Sequence, residues 1–352
     1  WAGSSRRSLW ICRFAWTTQT RCPHTHSRRK SSSRKLLDLK DKGRRDHTLT
    51  SAIPGPSYGV HFRKPIDAIV MFRMLVLQAL HNLSDEQVEF QVRDRLSFTR
   101  FLRLGIEDGI PDATTLWLFR EKLAKAGLIE QLFDRFDRHL AAKGYIARGG
   151  QIVDATIVPV PKQRNSRDEN ETVKAGRTPA AWEKKPAKLR QKDRYARWTK
   201  KHGQSFFGYK NHVNADAKHK LIRRYEVTDA AVHDSQQLDG LLNQDNTSAD
   251  VFADSAYRSA ETETKLKAQG YRSRIHTRAT RGHPLSSAKQ EANRKKSQVR
   301  VRVEHVFGTQ QTSPGGRMVR TIGIIRARAK IGLQNLVYNI RRLVTLERLA
   351  AA

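Results

Sequence analysis

Acidic residues are scarce in this chain: 34 Asp and Glu stand against 67 Lys and Arg, a formal balance of +33 over 352 residues. That deficit is far from the balance of a metabolic enzyme and predicts a polyanionic partner, nucleic acid first. Cysteine is nearly missing too. Cys12 and Cys22, with His24 and His26 beside them, form a C-x9-C-x-H-x-H spacing that matches none of the usual zinc patterns and supports no disulfide framework. Long apolar runs are also lacking. The longest, AIVMFRMLVLQAL at 68–80, is broken by Arg73 and is too short for a bilayer, and SLWICRFAW near the start is interrupted by Arg13, which makes it a poor signal peptide. Neither membrane insertion nor export is expected, and no internal repeat is visible.

Apolar residues make up 38% of the chain, enough for the cores of two or three compact units. Residues 1–45 carry 13 Lys or Arg and 2 Asp with no sustained period, so they read as a disordered basic tail. The opening residue is Trp1 and not methionine, as in a fragment. From 66 to 143 apolar residues recur at three and four, predicting four short helices: PIDAIVMFRMLVLQALHN, SDEQVEFQVRDRL, PDATTLWLFREKLAKAG and LIEQLFDRFDRHLAAKG. Ser84 with Gln87 forms a capping box, and Asp112 or Thr114 can open the third helix. Such a bundle (64–146) suits DNA binding through a helix-turn-helix or, equally, dimerisation.

Beyond Gly149 and Gly150 the period shortens to that of strands. QIVDATIVPV (151–160) is rich in β-branched residues, and FFGYKNHVNAD (206–216) with LIRRYEVTDA (221–230) predicts an antiparallel hairpin. Between them, 162–205 is a basic insertion with 14 Lys or Arg and 5 acidic residues. DSQQLDGLLN predicts a helix, VFADSAY a short strand, about 260–269 a helix, YRSRIHT a strand, and about 285–307 one helix with Val299, Val303, Val306 and Phe307 on a stripe. IGLQNLVYNIRRLVTLERLA closes the chain as an amphipathic helix.

Three carboxylates fall at the edges of this presumed core: Asp154 inside a strand, Asp254 at the end of another, and Glu304 bordering the stripe of a helix. An Asp in a strand costs free energy unless its charge is compensated. Each alone suits a salt bridge with one of the many Arg and Lys. Gathered together, the three would repel unless a cation sat among them, and magnesium, which takes a few carboxylate oxygens and keeps waters for phosphate, fits two-metal phosphoryl transfer.

From about residue 64 onward, the stretches LVLQALHNLSDEQVEFQVRDRLSFTRFLRLG, PDATTLWLFREKL, IVDATIV, ARWTKKHGQSFFGYKNHVNAD, VHDSQQLDGLL, VFADSAYRS, RVEHVFG and IGLQNLVYNIRRL occur in an order that resembles the DDE transposases of bacterial insertion sequences, specifically the insertion-sequence-five family. The resemblance implies an α/β, RNase H-like catalytic core (150–312) after a small all-α domain, with a basic turn and C-terminal helix at 313–352. It also implies cleavage of element ends and strand transfer, dependent on two Mg2+ that Mn2+ can replace. Asp154, Asp254 and Glu304 take the places of the catalytic, metal-binding triad, and Arg300 that of the arginine four residues before the glutamate. The partner implied is double-stranded DNA, bound by a homodimer or higher oligomer in the bacterial cytoplasm. Ser297 and Gln311 depart from the family pattern, which often has Tyr and Lys there. Residues 1–60 do not look like the family and read as a translated neighbouring or shifted frame.

Lys200, Lys201, Lys210, Arg258 and Arg300 are candidate phosphate contacts, and Trp198 a candidate stacking partner for an unpaired base; a solvated basic loop, or an Arg258–Asp254 pair, is the plainer reading of the same letters. His233 and Asp234 read as a helix cap. Two other functions stay open: a catalytically dead DNA-binding relic, and an RNase H-like nuclease that cuts without joining.

Overall fold

The computed structural model describes residues 66–351 apart from 202, 281 and 312–317 and the side chain of Gln311. Cys12, Cys22, His24, His26, the tail at 1–60 and part of the turn after 312 lie outside the described residues. The chain divides into two compact units, residues 1–128 and 129–352.

In the first unit the described helices are α1 (Ala68–His81), α2 (Asp85–Asp94), α3 (Leu96–Leu102) and α4 (Ala113–Lys125). Their starts are set by side chains that take up the free N–H groups of a first turn. Ser84 Oγ accepts from Gln87 N at 3.1 Å while Gln87 Oε1 accepts from Ser84 N at 2.9 Å, the capping box expected from the sequence. Asp112 accepts from Thr115 N at 2.7 Å and opens α4. The helix expected over SDEQVEFQVRDRL is α2, which ends where Arg95 takes extended backbone; the short α3 that begins at Leu96 was not expected. Met74, Leu75, Val88, Val92, Phe98, Leu102, Leu116 and Leu123 are buried among these helices.

The second unit holds a six-stranded mixed sheet: β1 (Gln151–Pro159), β2 (Arg197–Lys201), β3 (Gln204–Asp216), β4 (Ile222–Asp229), β5 (Asp250–Phe252) and β6 (Arg272–Ser273). β3 is long enough to pair antiparallel with β1 along one edge and with both β2 and β4 along the other. β5 runs parallel to β1, and β6 parallel to β5. Gly150 turns the chain into β1 with φ 91°, and a Cβ there would meet the Asp250 carbonyl at 2.9 Å. YRSRIHT forms only the two-residue β6, as it lies at the sheet's far edge.

Strand alternation splits the core between the two faces of the sheet. Val153, Val251, Leu238, Leu241, Tyr257, Leu266 and Ile275 pack on one face, and Val158, Phe207, Tyr209, Val227, Ala327 and Ile331 on the other. The amphipathic helix α5 (Leu128–Ala142), expected to close the bundle, instead turns its stripe to the sheet: Phe133 meets the Tyr225 ring edge-on at 4.8 Å. Arg223, buried on β4, donates to Asp137 of that helix at 2.8 Å and to Asp216 at 3.0 Å, so α5 is fixed by a buried ion network as well as by apolar contact.

The insertion has a small fold of its own, with α6 (Arg167–Lys174), α7 (Ala180–Glu183) and α8 (Pro186–Gln191) leading into β2. Trp182 is fully buried, its Nε1 donates to Glu169 at 2.5 Å, and the ammonium groups of Lys188 and Lys192 lie 5.7 and 5.3 Å from its ring. The hydrogen bond from Lys188, with those from Ser166 N–H and Trp182, lowers the Glu169 carboxyl to about 2. The remaining helices are α9 (Leu238–Leu241), α10 (Ala260–Ala268), α11 (Ser287–Arg300), α12 (Glu304–Gln311) and α13 (Ile324–Ala351). The single helix expected at 285–307 is thus interrupted by a 3-10 turn at Val301–Val303.

Candidate active site

Asp154 sits in the middle of β1, opposite Val213 of β3, with its Oδ1 accepting from Ala155 N–H at 2.8 Å. On the other side of β1, Gln151 pairs with Val251 and Ile152 with Phe252. Extending that register by two residues brings Asp254 level with Asp154, just past the end of β5. There Asp254 caps the 3-10 turn Ser255–Tyr257, accepting from Ser255 N–H at 2.5 Å.

Arg300, the last residue of α11, reaches both. Its Nη1 is 3.5 Å from Asp254 Oδ1 and its Nη2 is 3.9 Å from Asp154 Oδ2. Glu304, the first residue of α12, is exposed, and its charge is felt at Asp154. Burial pushes the Asp154 carboxyl up to about 6; Arg300, the Ala155 N–H and Lys201 oppose that rise, and Glu304 adds to it. Burial, not a lack of neighbouring positive charge, is thus what raises it, and the guanidinium between the two aspartates works against the rise. Among the described residues no three His, Cys, Asp or Glu side chains stand close enough together to hold an ion as they lie.

The other candidates are distributed around this centre. Lys200 and Lys201 are exposed on β2. Trp198, 41% exposed, rests on Phe207 at 5.2 Å with the Lys162 ammonium 5.9 Å from its ring. Lys210 is already engaged, donating to Val232 O at 2.6 Å and pairing with Asp234 at 2.9 Å. Arg258 turns away from Asp254 to Thr277 Oγ1 at 2.7 Å and Glu263 at 3.4 Å. Ser297 lies 3.2 Å from His276 Nε2.

Of the pair expected to form a helix cap, His233 is the cap of the turn that precedes α9, its side chain accepting from Ser235 N–H. Asp234 is thereby free to pair with Lys210. Tyr257 was not singled out, yet it is 1% exposed and its hydroxyl has no hydrogen-bond partner among the described residues. Burial first, then the charges of Asp154, Asp234 and Asp254, raise its phenol far above the ordinary range. The spacing of Asp254 and Tyr257 across a single turn was the available signal.

The sequence profile of the family described as Transposase DDE domain matches residues 147–340, more than half of the chain. The chain belongs to that family. A second profile, Transposase domain (DUF772), matches residues 27–122 of this transposase and so begins inside the segment that looked foreign. Among solved structures, the transposase is similar to the piggyBac transposase synaptic complex with hairpin DNA, determined by cryo-electron microscopy. The two share 10% identity at a TM-score of 0.43, over 89% of this chain and 76% of that one. A likeness this loose assigns no fold.

Membership in the DDE family implies dependence on a divalent metal. The donors present suit one, since Asp154, Asp254 and Glu304 offer only carboxylate oxygens, the ligands of hard cations. Among the described residues of the transposase, no helix is long and apolar enough to cross a membrane.

Proposed function

We propose that this transposase belongs to the insertion-sequence-five family and that its mixed sheet is an RNase H-like core. In this reading it cuts DNA at the ends of a mobile element and joins those ends to a target. Asp154, Asp254 and Glu304 would hold two Mg2+, with Mn2+ able to substitute. The observation that carries the reading is Arg300 spanning Asp154 and Asp254 within 4 Å while the charge of Glu304 reaches Asp154. An aspartate within β1 and another just past the end of β5 have little structural reason to share one guanidinium, and the repulsion between them is a cost that a cation removes.

When bound, the ions would supply activation of the attacking oxygen and stabilisation of the leaving one. The chain's own part is placement. Arg300, which holds the two aspartates in the ion-free protein, would face the phosphate if the aspartates held metal. Lys200 and Lys201 on the exposed β2 hold the DNA backbone, and Trp198 offers a ring face to an unpaired base. Lys210 and Arg258 serve DNA only if they leave Asp234 and Glu263. In the first step water attacks the phosphorus and the 3′ oxygen leaves as a hydroxyl; in the second that hydroxyl attacks a target phosphodiester and displaces its 3′ oxygen. α1–α4 form an all-α domain that binds element ends or pairs protomers, and a homodimer or larger oligomer assembles on DNA.

Asp154→Asn, Asp254→Asn and Glu304→Gln test the reading. Each should abolish cleavage of a DNA bearing the element's ends, in Mg2+ or Mn2+, with salt-sensitive DNA binding retained. Full cleavage by any one of them refutes the assignment of that residue.

A further inference from the structure

A buried amide cluster lies behind the site. Asn335 of α13 and Asn211 of β3 exchange two hydrogen bonds, Asn211 Nδ2 to Asn335 Oδ1 at 2.9 Å and Asn335 Nδ2 to Asn211 Oδ1 at 3.1 Å. Gln310 Nε2 donates to the same Asn335 Oδ1 at 2.8 Å. Asn335 is 0% and Asn211 1% exposed, so these amides have no water to replace one another.

The three residues stand on three elements that bear on the carboxylates. Asn211 pairs with Thr156 in the β1 register, two residues and one pleat from Asp154 on the same face of that strand. Gln310 lies near the end of α12, the short helix that begins with Glu304. Asn335 therefore joins the helix of Glu304 to the strand that flanks Asp154. The start of α12 is tied separately, by Arg302 Nη1 donating to Ala217 O at 2.8 Å.

One turn further along α13, Asn339 makes a comparable pair of bonds that ends elsewhere. It accepts from Ile222 N at 2.9 Å and donates to Ile222 O at 2.7 Å, anchoring α13 to β4 without touching α12. Asn339 is equally buried. The molecule thus contains a positioning candidate and a structural control on the same helix.

We infer that the Asn335–Asn211–Gln310 cluster sets the position of Glu304 relative to Asp154, so that the C-terminal helix positions the third carboxylate of the ion site. This rests on the proposed role of Glu304. Outer hydrogen bonds that orient a ligand change metal affinity by about 10- to 100-fold when they are lost.

The test is Mn2+ binding to the full chain, read by electron paramagnetic resonance of the free ion, with melting temperature followed in parallel. Glu304→Gln should weaken binding strongly. Gln310→Met and Asn335→Leu should each weaken it by about 10-fold, while Asn339→Leu lowers the melting temperature and binds as the unmutated protein does. Gln310→Met leaves the Asn335–Asn211 pair intact, so it decides the matter even where Asn335→Leu does not fold. Wild-type affinity in Gln310→Met, beside a loss in Glu304→Gln, overturns this inference alone; equal weakening in Asn339→Leu overturns it too, as general loosening. Unchanged affinity in Glu304→Gln removes the carboxylate reading and this inference with it.

Discussion

Arg300 Nη1 lies 3.5 Å from Asp254 Oδ1, and the same guanidinium extends its other nitrogen to within 3.9 Å of Asp154. A cation placed between two carboxylates does for the ion-free protein part of what a divalent ion would do for the loaded one. The arginine side chain is about a quarter exposed, which leaves it room to withdraw. It is the last residue of α11, and Glu304 opens α12 on the far side of the 3-10 turn Val301–Val303.

Replacing Arg300 by Gln should destabilise the ion-free protein by about 1–3 kcal/mol, the cost of leaving a partly buried charged group without its partner. Mn2+ should then raise the melting temperature more in the variant than in the unmutated protein, because the ion no longer competes with a resident cation. Thermal unfolding with and without Mn2+ checks both signs. An equal rise in the two proteins would argue that ion and guanidinium do not share the pocket.

Asp154→Asn should stabilise the ion-free protein at pH 7. The folded carboxyl is raised to about 6 from 3.8, burial being the main cause. Between those two values the folded state holds a proton that the unfolded chain releases, so stability increases as pH falls through the window and the penalty is complete at pH 7. A shift of about 2 units corresponds to about 3 kcal/mol, and Asn removes it along with the charge. Denaturant unfolding at pH 7 and pH 4 measures the effect, which should shrink at the lower pH.

Asp154 in a β-branched run, Asp254 after a short apolar strand and Glu304 beside an apolar stripe stood out because local pattern argues against a charge in each place. That Asp154 and Asp254 lie within reach of one arginine was not legible from periodicity, since it depends on the parallel pairing of β1 with β5 across about a hundred residues, and only the family resemblance joined Glu304 to them. Helix starts were read correctly where a side chain caps them, as at Ser84 and Asp112. The helix expected at 285–307 is present as α11 and α12, with one 3-10 turn at Val301–Val303 between them that no Gly or Pro marks. Nor did the basic, polar composition of the insertion show that Trp182 with Glu169 gives it a core of its own.

His212 should make the fold sensitive to mild acid. It is fully buried on β3 with Nε2 against Thr228 Oγ1 at 2.9 Å, and burial lowers its pKa to about 4, with Lys210 adding and Asp234 opposing. Above about 6.5 both folded and unfolded states are neutral there and the group contributes nothing to pH dependence. As pH falls from 6.5 to 4 the unfolded chain gains a proton that the folded one refuses, a loss of up to about 3 kcal/mol. His212→Gln should flatten the difference in unfolding free energy between pH 7.5 and pH 5. An unaltered slope would mean that other groups carry the acid sensitivity.

Trp182→Ala should loosen the insertion while leaving the sheet in place. The indole is fully buried, gives the only described hydrogen bond of its Nε1 to Glu169, and carries Lys188 and Lys192 on its ring. Truncating a buried Trp costs about 3–5 kcal/mol. Because the helices α6 to α8 are short and close on this one side chain, that loss should fall mainly on local opening. Trypsin reports it directly, since Lys184, Lys188 and Arg190 lie on or between α7 and α8. Cleavage there should accelerate about 100-fold, the population change that about 3 kcal/mol produces. Early fragments ending within 184–190, with the remaining unit still folded, are the expected outcome; a uniform loss of the whole second unit would show that the insertion and sheet unfold together.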